Sequence, residues 1–232
     1  YTDNEEGRHV ATRIFDLHHQ HQVPFSDFAI LYRTNAQSRA FEESLRKLNL
    51  PYRIYGGTSF YQRKEIKDLI AYFRLVANPR DDEAFKRVVN YPARGIGKST
   101  MDKLIVEAAE RNVALWDVVV DEAMPPATLG VAPLRKLRDF TGMIRRFMAE
   151  LDRRAADELA LEIAKHSGLV SELYRDKTPE GVARYDNIQE LLNGVQAFSE
   201  QAREADPEAR PTLSDFLLDV ALLTDADQYD DD

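Results

Sequence analysis

The sequence predicts a mainly helical protein that carries a small α/β portion near its N-terminal end. Beyond Gly57, apolar residues recur at helical spacing over most of the chain, the pattern of helices that bury one face. Before that point two short apolar runs alternate with helical segments, which is an α/β pattern. A hydrophobic content of 44% beside 31% charged residues allows sizeable cores and excludes a disordered chain.

Residues 4–21 read as a helix, with Val10, Ile14 and Leu17 as its apolar stripe and Pro24 ending the segment. Phe28 to Tyr32 is a nearly continuous apolar run, typical of a buried strand. Asn35 is placed to cap the next helix, in which Phe41, Leu45 and Leu48 form the buried side. Pro51 to Tyr55 reads as a second strand, closed by Gly56-Gly57. Residues 1–55 are thus α/β but too short for a complete sheet domain, and 56–232 form a helical domain. In that second part helices are expected over roughly 63–77, 81–90, 99–110, 133–151, 155–166, 184–200 and 212–223. The clearest stripes are Leu137, Phe140, Ile144, Phe147 and Leu151, then Tyr185, Ile188, Leu192 and Val195.

Composition bounds the function. The chain has no cysteine, so disulfides and thiolate metal sites are excluded and a reducing, cytoplasmic setting is expected. No apolar run is long enough for a helical membrane span, so no membrane partner is expected. The opening Tyr1 and the acidic run Asp227 to Asp232 make the chain read as a piece of a larger protein. The net charge of −9 argues against a simple nucleic-acid binder, yet residues 31–105 hold 15 basic and 8 acidic side chains. A positive segment inside an acidic chain is either a backbone-binding footprint or incidental surface charge.

Three features can carry chemistry. The first is the polar cluster after the first strand, with Arg33, Asn35, Gln37 and a new helix N-terminus, all able to hold phosphate oxygens. The same residues would equally serve an ordinary helix cap. The second is the helix from Arg63: Lys67 lies about 40° and Arg74 about 20° from Arg63 around its axis, so three cations share a face. That ridge would follow a duplex backbone, or it is a solvated face paired with Glu65 or Asp68. The third is Tyr91 to Thr100, where Gly95-Ile96-Gly97 makes a tight turn with exposed amides before a helix opened by Ser99 or Thr100. Arg94 and Lys98 add charge, Ile96 anchors the turn, and the whole resembles the hairpin of helix-hairpin-helix DNA binders.

Other features point away from catalysis. His18, His19 and His21 sit at a polar helix end without ligands at metal spacing, so no metal site is assigned. Gly97-Lys98-Ser99 is not a phosphate loop, because Pro92 stands where the first glycine belongs. No nucleophile triad and no magnesium-binding acidic pair is found, so no catalytic residue and no cofactor site is assigned within this chain.

The three features occur together, in this order and spacing, in superfamily 1 DNA helicases of the UvrD/PcrA/Rep type. Ala29 to Arg39 is very similar to a segment of their second motor domain, Gly56 to Asp68 resembles the following motif, and Asn90 to Thr100 resembles the third. The resemblance implies an incomplete RecA-like 2A segment over 1–55 and the helical 2B domain over 56–232. It implies single-strand contacts at Arg33 and Asn35. It implies duplex contacts at Arg63, Lys67, Arg74, Gly95, Ile96, Gly97, Lys98 and Thr100. The whole protein would use ATP and magnesium to move 3′ to 5′ along DNA, while this chain alone would be inactive. DNA is the implied partner, with repair or transcription proteins beside it. An autoinhibitory or protein-interaction role, and membership of a RecB/AddA-type helicase–nuclease, are the alternatives.

Overall fold

The computed structural model describes residues 2–55 and 57–225, so the acidic run at 227–232 lies outside it. Every regular element among the described residues is helical. The N-terminal part pairs α1 (Asp3–His21) with α2 (Ser38–Lys47). Thr2 starts α1 through a capping box with Glu5, and acidic residues follow in the first turn, where the helix dipole favours them. The helices approach so closely that a Cβ on Gly7 would stand 2.4 Å from the Ala40 carbonyl oxygen. This contact buries Gly7 and Ala11, and a small core forms from Ala11, Leu45 and Leu50. The expected stripe of Val10, Ile14 and Leu17 is only half buried and lines an open cleft with Phe28, Ala29 and Ile30. Leu48 is exposed, and Leu50 takes its place in the core.

The two expected strands do not form, and the α/β portion is corrected to helices joined by extended backbone. A strand is held by ladder bonds to a neighbour, and an isolated one lacks them. Here the runs at 28–32 and 51–55 are separated by α2 and pair with no strand among the described residues. Their apolar side chains show the consequence: Leu31 is 94% exposed and Tyr55 87%. The cap of the next helix also shifts. Thr34, not Asn35, closes a capping box with Gln37 around a 3₁₀ turn that leads into α2.

The helical part follows the expected stripes in the main, but Leu151 lies past the end of its helix and is half buried, and Tyr185 and Leu192 are half buried while Leu191 is fully buried. This part comprises α3 (Lys64–Ala77), α4 (Asp82–Val88), α5 (Lys98–Arg111), α6 (Leu115–Val120), α7 (Val131–Met148), α8 (Ala156–His166), α9 (Leu169–Arg175), α10 (Pro179–Ala205) and α11 (Leu213–Asp225). Helix α3 is central: Ile66, Leu69, Tyr72, Phe73, Leu75 and Val76 are fully buried, and it meets α4, α7, α8, α10 and α11. The α7 stripe of Leu137, Phe140, Ile144 and Phe147 is buried against it. Helices α6 and α9 lie outside the expected set, because one or two turns carry too little periodicity to read. Helix α10 runs longer than expected, capped by Thr178 with Pro179 at its first position.

Candidate nucleic-acid interface

The hairpin between α4 and α5 is built from three directions. Val88 and Val89 are buried, so the chain leaves α4 anchored to the core. The Asn90 side-chain oxygen then accepts from Arg94 N at 2.9 Å and Ile96 N at 3.0 Å, folding the loop back on itself. Ile96 is 2% exposed and pins the tip, while Gly95 takes a left-handed φ of +69° that an L side chain resists. Gly97, Lys98 and Ser99 remain exposed. The N-cap is Gly97, with no side-chain cap bond, so α5 begins at Lys98 instead of at Ser99 or Thr100. Nothing lies within 4 Å of where a Gly97 Cβ would be, and the Thr100 amide donates to the Gly97 carbonyl at 3.0 Å, which leaves the amides of Lys98 and Ser99 as the first-turn donors without a helical acceptor. The Tyr91–Pro92 peptide bond is cis.

Arg94 does not add charge to that surface. Its Nη1 donates to the carbonyls of Val88 at 3.0 Å and Pro92 at 3.0 Å. Its Nη2 donates to the Ser167 carbonyl and the Tyr72 hydroxyl, both at 2.7 Å. The guanidinium also lies 5.2 Å from the Phe140 ring centre. Burial pushes the Tyr72 hydroxyl up to about 12, so it stays protonated, and it donates in turn to the Tyr91 carbonyl. Arg94 therefore ties the loop to α3, α7 and α8. Asn90 and Arg94 are the residues that shape the turn, and neither role is visible from charge or spacing.

The cations of α3 take different positions. Lys67 is half buried and forms no ion pair among the described residues. Arg74 is exposed and pairs with Asp81 at 2.7 Å, a surface bridge worth about 0–1 kcal/mol that another anion can displace. Neither Glu65 nor Asp68 holds these cations: Asp68 pairs with Arg87 at 2.7 Å, and Glu65 accepts from Asn187 at 2.6 Å. Arg63 turns back toward the N-terminal part. Its Nη1 donates to the Asn35 carbonyl at 2.6 Å and to Asn187 Oδ1 at 3.0 Å, and its Nη2 donates to Ser38 Oγ at 2.8 Å. Burial lowers its pKa below the ordinary arginine value.

The polar cluster near Arg33 sits at the other end of this link. Arg33 and Asn35 are exposed, as a contact to a passing strand requires. Gln37 is not free for a ligand, since its Oε1 accepts from the amides of Arg33 at 2.9 Å and Thr34 at 3.1 Å. Below it runs a polar seam between the N-terminal and helical parts. Arg39, 3% exposed, donates to Glu190 at 2.7 Å, Glu43 at 2.9 Å and Asn4 at 2.9 Å. Burial opposes its charge, but the two carboxylates outweigh that, and its pKa lies above the usual arginine value. Glu42 accepts from Phe60 N at 3.1 Å, and its burial raises its pKa.

Among the described residues no group of three or more His, Asp or Glu is placed to hold a metal ion. Nor is any helix among them long and apolar enough to cross a membrane.

Comparison with known proteins places this geometry in context. The family model described as "UvrD-like helicase C-terminal domain" matches residues 1–232. The chain is 39% identical over 230 residues to the ATP-dependent DNA helicase PcrA of Bacillus subtilis, covering 98% of this chain and 30% of that protein. It is 35% identical over 230 residues to the PcrA of Leuconostoc citreum, covering 99% of this chain and 31% of that protein. The PcrA of Staphylococcus aureus is 34% identical over 229 residues, with 99% of this chain and 30% of that protein covered. The chain thus spans about a third of the length of these relatives.

Proposed function

The chain belongs to the UvrD-like helicase C-terminal domain family, and from that premise we propose that it is the DNA-gripping part of an ATP-dependent, 3′ to 5′ DNA helicase. Residues 1–55 are the later part of the first 2A segment of the motor, and 56–232 are the 2B domain. The separate small core of Ala11, Leu45 and Leu50 supports that division. So do the bare Leu31 and Tyr55, whose runs would find strand partners in the rest of a motor sheet. The cytoplasm, where bacterial DNA lies, is its proposed setting.

One observation carries the DNA reading: the hairpin at 90–100 is braced from behind by Arg94 and Asn90, and it presents the exposed Gly97, Lys98 and Ser99 beside the half-buried Thr100. A turn of that kind holds a phosphate without reading the base. Lys67 and Arg74 extend the duplex contact along α3, while Arg33 and Asn35 meet the separated strand. Arg63, hydrogen-bonded to Asn35 and Ser38, joins the two contacts.

The test is fluorescence anisotropy with a blunt duplex over a range of salt. The wild-type chain is expected to bind weakly, with an affinity that falls steeply as salt rises. Changing Lys67, Arg74 and Lys98 together to glutamate is expected to abolish binding, and unchanged binding of that variant rejects the duplex surface. In a phosphate-release assay with single-stranded DNA and ATP–magnesium, this chain alone is expected to show no turnover. Its sequence contains no phosphate loop. Turnover above background would overturn the assignment of hydrolysis to other parts of the whole protein.

A further inference from the structure

The geometry points to Lys136 as a further backbone-phosphate contact of the hairpin, contributed from outside the motif. The inference rests on the duplex-binding reading of that turn and adds a residue to it. Lys136 belongs to α7, 41 positions along the chain from Gly95, yet its Nζ donates to the Gly95 carbonyl at 3.0 Å. A Cβ on Gly95 would stand 2.5 Å from that Nζ. A side chain at that position would displace the ammonium group, and the left-handed backbone independently favours glycine.

Three properties make this lysine a ligand contact as well as a brace. An ammonium group has three donors, and the Gly95 carbonyl takes one. The residue is exposed, and the ammonium makes no second hydrogen bond among the described residues, so its remaining donors are open to a ligand. Among the described residues no carboxylate pairs with it, not even Asp139, one helical turn away. Lys98, the first residue of α5, is likewise exposed and unpaired among the described residues. Two cations from separate helices thus meet one short turn. Lys136 is already tethered at that turn, so it loses less side-chain freedom when a phosphate arrives.

Anisotropy titrations of the 232-residue chain against a fluorescent blunt duplex, from low to moderate salt, test this directly. K136A is expected to weaken binding by about three- to tenfold and to lower the slope of log affinity against log salt by about 0.9, one phosphate contact. K136R is expected to restore both, with single-stranded DNA binding unchanged throughout. A loss of affinity at unchanged salt slope would reduce Lys136 to a brace and overturn the inference. Wild-type behaviour of K136A beside a weakened K98E would also overturn it, leaving the hairpin reading intact. If neither variant changes binding, or if the wild type shows none at low salt, the duplex reading falls and this inference falls with it.

Discussion

Replacing Arg39 with alanine is expected to destabilise the fold by about 3–5 kcal/mol, the cost of stripping the cation from a buried ion pair. For a chain of this size that lowers the melting temperature on the order of 10 °C. The size follows from what is left behind. Glu190 is 5% exposed, and without Arg39 its near neighbour is the Asn193 amide at 3.3 Å. Among the described residues, Glu43 keeps only the Tyr61 hydroxyl, at 2.7 Å. Two carboxylates would then face each other across α2 and α10 with little water. Urea unfolding followed by Trp116 fluorescence and by helical circular dichroism measures the loss. The pairing itself is separable from packing. R39M with E190M is expected to lose less than R39M alone, because the orphaned charge goes with its partner. A loss below about 1 kcal/mol for R39A would mean that water replaces the guanidinium, and the seam would then be a wet surface contact.

That seam also explains what the sequence could and could not reveal. Helices with long, regular stripes were legible: Leu137, Phe140, Ile144 and Phe147 are buried as their spacing predicts. So was the Gly95-Ile96-Gly97 turn, because glycines on either side of one apolar residue permit the left-handed backbone that a tight turn needs. The strands fail to form for a physical reason. A run such as Phe28 to Tyr32 has the composition of a buried strand, but composition does not supply the neighbour that completes it. Polar partners were hidden for a related reason. Arg39 finds Glu190 at a separation of 151 residues, and Arg63 finds Asn187 at 124. Helical spacing put Arg63, Lys67 and Arg74 on one face. It could not say that Arg63 turns to the Asn35 carbonyl while Arg74 turns to Asp81.

Arg94 is where the sequence misleads most, and its substitution gives the second large effect. Exchange for lysine keeps the charge but loses the planar fork that serves four carbonyls and the Tyr72 hydroxyl. Lysine has three donors in a compact head, so several of these acceptors go unmet, at a cost of about 2–4 kcal/mol. If Arg94 touched phosphate, lysine would preserve most of the duplex affinity. Because it instead holds the loop, R94K is expected to weaken duplex binding about tenfold or more, since the turn amides and Lys98 no longer share a fixed geometry. K98R, by contrast, is expected to bind as the wild type does, since the charge at the surface is kept. Salt titration separates the two causes. The number of phosphates met by the remaining cations is unchanged in R94K, so the salt slope should stay while the whole curve shifts down. A melting-temperature drop measured in parallel ties that shift to the loosened loop. Duplex binding of R94K at wild-type strength would show that Ile96 and Asn90 hold the turn without it.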